Sequence, residues 1–96
     1  MTKFTQQDQQ DFETLEKLVG TIVAVVNNTN DGSWLDWMLV RSVEEVFDAD
    51  GTYELFALGR YYDGQAMDVY AEREATLRQI ETGKIPPQSV LQKLDK

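Results

Sequence analysis

Apolar residues recur along the chain with two different periods. From Gln6 to Val19, Phe12, Leu15 and Val19 fall at helical spacing with Leu18 beside them, which predicts an α-helix. Thr5 followed by Asp8 has the spacing of a capping box, with Asp in place of the usual Glu or Gln, and Gly20 supplies a C-terminal stop. The pattern then changes. Thr21 to Val26 is β-branched apart from Ala24 and runs into the turn formers Asn27 to Gly32, which predicts a strand covered on both faces.

Residues 34–47 admit two readings. As a helix they offer a Leu35, Leu39, Val43, Val46 stripe, with Ser33 and Asp36 as a cap. As a strand they offer Met38, Val40 and Val43, followed by the hairpin dipeptide Asp50-Gly51 and a second β-rich run from Tyr53 to Leu58. The strand is preferred because one tight turn then joins two runs of similar length; the helix is the alternative. After Asp63-Gly64 the helical period returns. Ala66, Val69, Tyr70, Arg73, Leu77 and Ile80 form one stripe ended by Gly83, and Pro86-Pro87 opens a last short helix with Val90, Leu91 and Leu94 as its apolar contacts.

The predicted order is therefore α-β-β-β-α-α. It describes an α+β fold in one small globular domain spanning residues 1–96. An N-terminal helix leads into a three-stranded antiparallel β-meander, then a C-terminal helix plus a short terminal helix, with the helices stacked on one face of the sheet.

Composition narrows the class. With 42% hydrophobic and 27% charged residues in 96, the chain has what one core requires and no room for a second lobe. Cysteine is absent, so neither a disulfide framework nor a thiolate metal site is available, and a reducing, cytoplasmic setting is expected. The polar start from Met1 to Asp8 lacks the apolar core of a signal peptide, and the longest aliphatic run, Ile22 to Val26, is far short of a membrane span. Without a secretory signal, the sequon Asn27-Asn28-Thr29 carries no weight.

Histidine is absent too, which removes Ser-His-Asp and Cys-His nucleophile systems and His-ligated zinc. Carboxylate chemistry is what remains. Neither Gly32 nor Gly51 can serve as the sixth residue of a calcium loop, because Met38 would then stand where a bidentate Glu is needed, or Val46 where the first ligand is needed. Asp48-Ala49-Asp50-Gly51 reads instead as a hairpin turn. Glu44 and Glu45 are adjacent and diverge on either a strand or a helix, so they cannot converge on one bond. Gly83-Lys84 is followed by Ile85 and has no upstream glycine of a phosphate loop, and no dinucleotide-binding glycine pattern occurs. A non-enzymatic protein with no cofactor or metal is expected.

Charge then points to a kind of partner. The net charge of −8 disfavours direct contact with a nucleic-acid backbone or an anionic membrane. The excess sits in the middle of the chain, where Asp31, Asp36, Glu44, Glu45, Asp48, Asp50, Glu54 and Asp63 face only Arg41 and Arg60. Two aromatic pairs, Trp34 with Trp37 and Tyr61 with Tyr62, flank that region, and aromatics are common interface anchors. On a sheet covered on one face, at least one of Tyr61 and Tyr62 must reach the surface. The expected function is a small regulatory or interaction domain binding another protein through a basic surface, with homodimerisation at a sheet edge as an extra. Its candidate partner-binding residues are Trp34, Trp37, Glu44, Glu45, Asp48, Asp50, Tyr61 and Tyr62. The alternative is a nucleic-acid mimic that inhibits a DNA- or RNA-binding protein by placing carboxylates where phosphates would sit.

Overall fold

A computed structural model describes residues 5–95; Met1 to Phe4 at the polar start lie outside the described residues, as does Lys96. The chain runs through α1 (Gln6–Leu18), β1 (Ile22–Thr29), β2 (Gly32–Phe47), β3 (Tyr53–Asp63), β4 (Asp68–Thr76), β5 (Ile80–Glu81) and α2 (Gln88–Leu94). The capping box at the start of α1 forms as its spacing predicts: the Asp8 amide donates to Thr5 Oγ1 and the Thr5 amide donates to Asp8 Oδ2. Residues 34–47 lie within the long strand β2, and the helical alternative for them is not adopted.

The α+β class and the N-terminal helix stand, but the three-stranded meander does not. The sheet has five strands in the order β4-β3-β2-β1-β5, all pairs antiparallel. The predicted helix over residues 66–80 is replaced by β4, a turn and the two-residue β5, and Gln88–Leu94 is the single helix of the C-terminal part. Good helix formers such as Ala, Glu, Arg and Leu populate this segment, yet its backbone completes the outer edge of β3 from Phe56 to Asp63. Tertiary pairing has overridden local propensity. Charges at Glu72, Arg73 and Glu74 suit the outermost strand, where they discourage edge-to-edge association.

The helices do not stack on one face either. Val23 and Val25 of β1 cluster with Leu15 of α1, together with Met38, Val40, Ala57, Tyr61 and Ala75, while the intervening Ala24 clusters with Trp37, Tyr62, Val90 and Leu94. Because neighbouring strand residues point to opposite faces, α1 and α2 cover opposite faces of one sheet. Two small cores result. A sheet covered on both sides also buries both members of the Tyr61-Tyr62 pair, leaving them 5% and 7% exposed, so the expectation that one reaches the surface fails.

Two irregularities shape the sheet. An extra residue, Arg41, interrupts the register of β2 against β3 between Val40 and Ser42, and a second shift separates Gly59 from Tyr61 against β4. The first reverses the parity of β2: Met38 and Val40 face α1 before it, whereas Val43 does so after it. No helix among the described residues is long and apolar enough to cross a membrane.

Candidate functional site

The β2–β3 ribbon presents different chemistry at its two ends. Asp36 stands near the first, on the α1 face of β2, and is only 3% exposed. Its carboxylate collects four donors. Oδ1 accepts from Trp34 Nε1 at 2.9 Å and from the Gly64 amide at 2.6 Å, while Oδ2 accepts from Asn27 Nδ2 at 2.6 Å and from the Tyr61 hydroxyl at 2.5 Å. A buried carboxylate needs such a set to offset its lost hydration. Four elements of sequence meet here because Trp34 and Asp36 are two residues apart on one strand face, Asn27 and Tyr61 come from the flanking strands, and the β3–β4 turn brings in Gly64.

The network extends outward. Asn27 Nδ2 also donates to Tyr61 Oη, Gln79 Nε2 donates to Asn27 Oδ1, and Gln79 Oε1 accepts from the Thr76 amide. Burial first, then the hydrogen bond to Asp36, pushes the Tyr61 phenol well above its ordinary ionisation range, with Asn27 opposing. Above this floor opens a cavity of about 720 Å³, with Asn27, Trp34, Tyr61, Asp63, Arg73 and Gln79 among its walls. The Arg73 guanidinium lies 4.1 Å from the centroid of the Tyr70 ring and 5.4 Å from that of Tyr61, with Asp63 Oδ2 at 3.9 Å. With four donors on its two oxygens, this carboxylate ties β1, β2, β3 and the β3–β4 turn together.

Nine residues further along β2, a strand path of about 30 Å, lies the acidic end. Beyond the Arg41 bulge, Glu44, Glu45, Asp48, Asp50 and Glu54 are all exposed; Arg41 is the only base within residues 41–59, and Arg78 from the β4–β5 turn lines a groove beside Glu54. Asp48 to Thr52 form the connecting turn. The Thr52 hydroxyl reaches Asp48 Oδ2 at 2.9 Å and Asp50 Oδ1 at 2.8 Å, and the Gly51 amide donates to the Asp48 carbonyl. The Thr52 amide, then its hydroxyl, hold the Asp50 carboxyl below its usual range. Phe47 and Tyr53 face each other across the ribbon with ring centroids 4.9 Å apart, and Phe47 is 54% exposed.

The potential at this end is registered by Tyr53. Its phenol is pushed up to about 12, first by burial, then by the hydrogen bond it donates to Glu45 and by the charges of Glu45, Asp8 and Asp11. Asp8 and Asp11 belong to α1, so the helix adds its acidic first turns to the same region. A groove of about 480 Å³ runs there, lined by Asp8, Asp11, Tyr53, Leu55 and Leu77 among others.

The candidate residues read from the sequence are thus divided between three places. Trp34 and Tyr61 meet at Asp36. Trp37 and Tyr62 are cross-strand partners inside the core under α2, where Lys93 Nζ lies 5.3 Å from the Tyr62 ring, and neither offers a surface to a partner. Glu44, Glu45, Asp48 and Asp50 share the acidic end, with Glu44 and Glu45 on opposite faces as their adjacency requires. Asn27, Asp36, Gly64, Arg73 and Gln79 at the first end, and Phe47 at the second, were not singled out in sequence. For Asp36 a signal existed: an acid inside a strand-like run, two residues from a tryptophan. Among the described residues, no group of three or more Asp or Glu side chains is arranged to hold a metal ion. No family, curated protein or solved structure matches the chain.

Proposed function

We propose that this protein is a non-enzymatic interaction domain that binds a basic surface of another protein through the acidic end of its β2–β3 ribbon. The observation that carries this reading is the position of Phe47, an aromatic side chain more than half exposed that meets the Tyr53 ring at the end of the ribbon where Glu45, Asp48 and Asp50 are also exposed. An aromatic anchor within a charged rim is the composition of an interface hot spot. The carboxylates of the rim would speed encounter with a basic partner, and Phe47 would supply the contact that persists once the partner has arrived. The buried Asp36 network, by contrast, is the fixed base on which the ribbon stands.

The test is retention of partners on the immobilised protein from a lysate of its source, at low and at high salt. Two variants shown by circular dichroism to be folded serve as comparisons: Phe47→Ala, and the fourfold change Glu44→Gln, Glu45→Gln, Asp48→Asn, Asp50→Asn. The reading requires one partner that wild type keeps at high salt and that both variants lose. Retention of the same proteins by all three would overturn it. Retention of nucleic-acid-binding proteins alone, released by added duplex DNA, would favour a nucleic-acid mimic instead.

A further inference from the structure

The pairing of β2 stops unevenly on its two sides. Strand β1 pairs with it only from Gly32 to Leu39, and Val40 closes that ladder by donating to the Thr21 carbonyl and accepting from the Gly20 amide. There the chain passes into α1, which packs on one face of β2 and β3 and takes no place in the ladder. On the other side β3 stays with β2 as far as Phe47. Among the described residues, no strand pairs with the β1 side of β2 from Ser42 to Phe47. Six residues of extended backbone thus form an edge, half of whose peptide groups point away from the sheet.

We infer that this edge receives an extended basic segment of the partner protein by β-strand addition. The inference rests on the function proposed above and supplies its binding mode. Side chains on the edge select the occupant. Val43, Glu45 and Phe47 line the α1 face, and Ser42, Glu44 and Val46 line the other, where Glu54 stands opposite Val46. A strand whose apolar residues lie beside Val43 and Phe47 places its alternate residues beside Glu44, and those are favourable as Lys or Arg. A second copy of this chain is a poor occupant, because it would bring the same excess of acids, Glu44, Glu45, Asp48, Asp50 and Glu54, to the same place. Main-chain hydrogen bonds would supply affinity, and the alternation of apolar and basic side chains would supply selectivity.

The test uses two synthetic decapeptides of equal charge. One alternates lysine with valine, (Lys-Val)5; the other, Lys-Lys-Pro-Pro-Lys-Lys-Pro-Pro-Lys-Pro, sets its prolines in pairs, so that both sides of the extended peptide lose amide hydrogens and neither can form a regular ladder. Affinity is measured by titration calorimetry at low salt and backbone protection by amide hydrogen exchange. The lysine-valine peptide should bind about tenfold more tightly than the lysine-proline peptide. It should also slow exchange of amides within Ser42–Phe47 and leave the outer edge of β4 unchanged. Equal binding by both peptides without new protection overturns strand addition yet leaves a basic partner in place. Protection on β4 instead also overturns it. Failure of both peptides to bind removes the basic-partner reading itself.

Discussion

The Tyr61 hydroxyl donates to Oδ2 of Asp36 across the β2–β3 pair, and both side chains are buried on the face that α1 covers in part. Their positions in the ladder are not opposite one another: Tyr61 is paired with Met38, two residues along from Asp36. The bond is therefore diagonal, within the reach of a long aromatic side chain. It fixes the register of two strands whose far halves are otherwise held by the ribbon's own pairs. A buried carboxylate at such a position specifies an alignment that apolar residues alone would leave free to slip.

Replacing Asp36 should accordingly cost more than replacing any one of its donors. Asp36→Ala removes at once the acceptor shared by the Tyr61 hydroxyl, the Trp34 indole, the Asn27 amide and the Gly64 backbone amide, and the expected loss is about 3–5 kcal/mol. Tyr61→Phe removes one donor from a carboxylate that keeps three, and about 1–2 kcal/mol is expected. Urea denaturation of the two variants gives the comparison. Equal losses would mean that packing, and not the hydrogen-bond set, holds this part of the sheet.

Alkaline pH should weaken the fold through two tyrosines. Tyr61 and Tyr53 both ionise later in the folded protein than in the unfolded chain, where the phenol value is about 10. Below about pH 10 both are neutral in either state and their contribution is fully present. As pH rises further the unfolded chain ionises first, so stability falls. The urea midpoint should thus drop from about pH 10 up to about pH 12, and Tyr61→Phe should reduce the slope without abolishing it, because Tyr53 remains. A midpoint that is flat across that range would contradict the burial assigned to both phenols.

Much of this fold was legible where local signals and tertiary demands agree. The capping box at Thr5 and Asp8, the strand before Asn27 and the turn at Asp50-Gly51 all follow from short-range chemistry. The segment from Ala66 to Ile80 was not, because its apolar spacing suits a helix equally well and only the open edge of β3 decides between them. The burial of Trp37 and Tyr62 followed the same logic. A sheet covered on both faces turns adjacent aromatics into two core residues, and no feature within the sequence of β3 states how many faces are covered. At the site, the acidic end could be read from charge alone, whereas the Asp36 network draws on residues as distant as Asn27 and Gly64 that only pairing brings together.

Gly64 should tolerate no side chain. A Cβ there would lie 2.2 Å from the Leu35 carbonyl oxygen and 3.3 Å from Asp36 Oδ1, so the turn would have to lift away and take its amide from the carboxylate. Overpacking of this kind costs about 1–3 kcal/mol, and the lost bond to a charged acceptor adds to it. Gly83 provides the control: its φ of +85° strains any other residue, but a Cβ there meets nothing within 4 Å. Gly83→Ala should lose about 1 kcal/mol, the cost of the left-handed backbone alone. Thermal melts of the two variants should rank Gly64→Ala as clearly the less stable, and the reverse order would refute the close approach.

The division of the core into two clusters has a measurable consequence of its own. Leu15 of α1 and Leu94 of α2 are both fully buried, one on each face of the sheet, and each belongs to a separate cluster. Truncation of either to alanine removes about the same apolar area, and about 2–5 kcal/mol is expected for each. Residues that share no partner and are separated by a sheet lose stability independently, so the double variant should equal the sum of the singles within about 0.5 kcal/mol. The double variant is expected to be largely unfolded at 25 °C if the whole domain has the stability usual for its size, so the additivity is best read from unfolding in a stabilising osmolyte. A coupling well above that margin would show that the sheet transmits strain between its faces and that α1 and α2 stabilise one core in common.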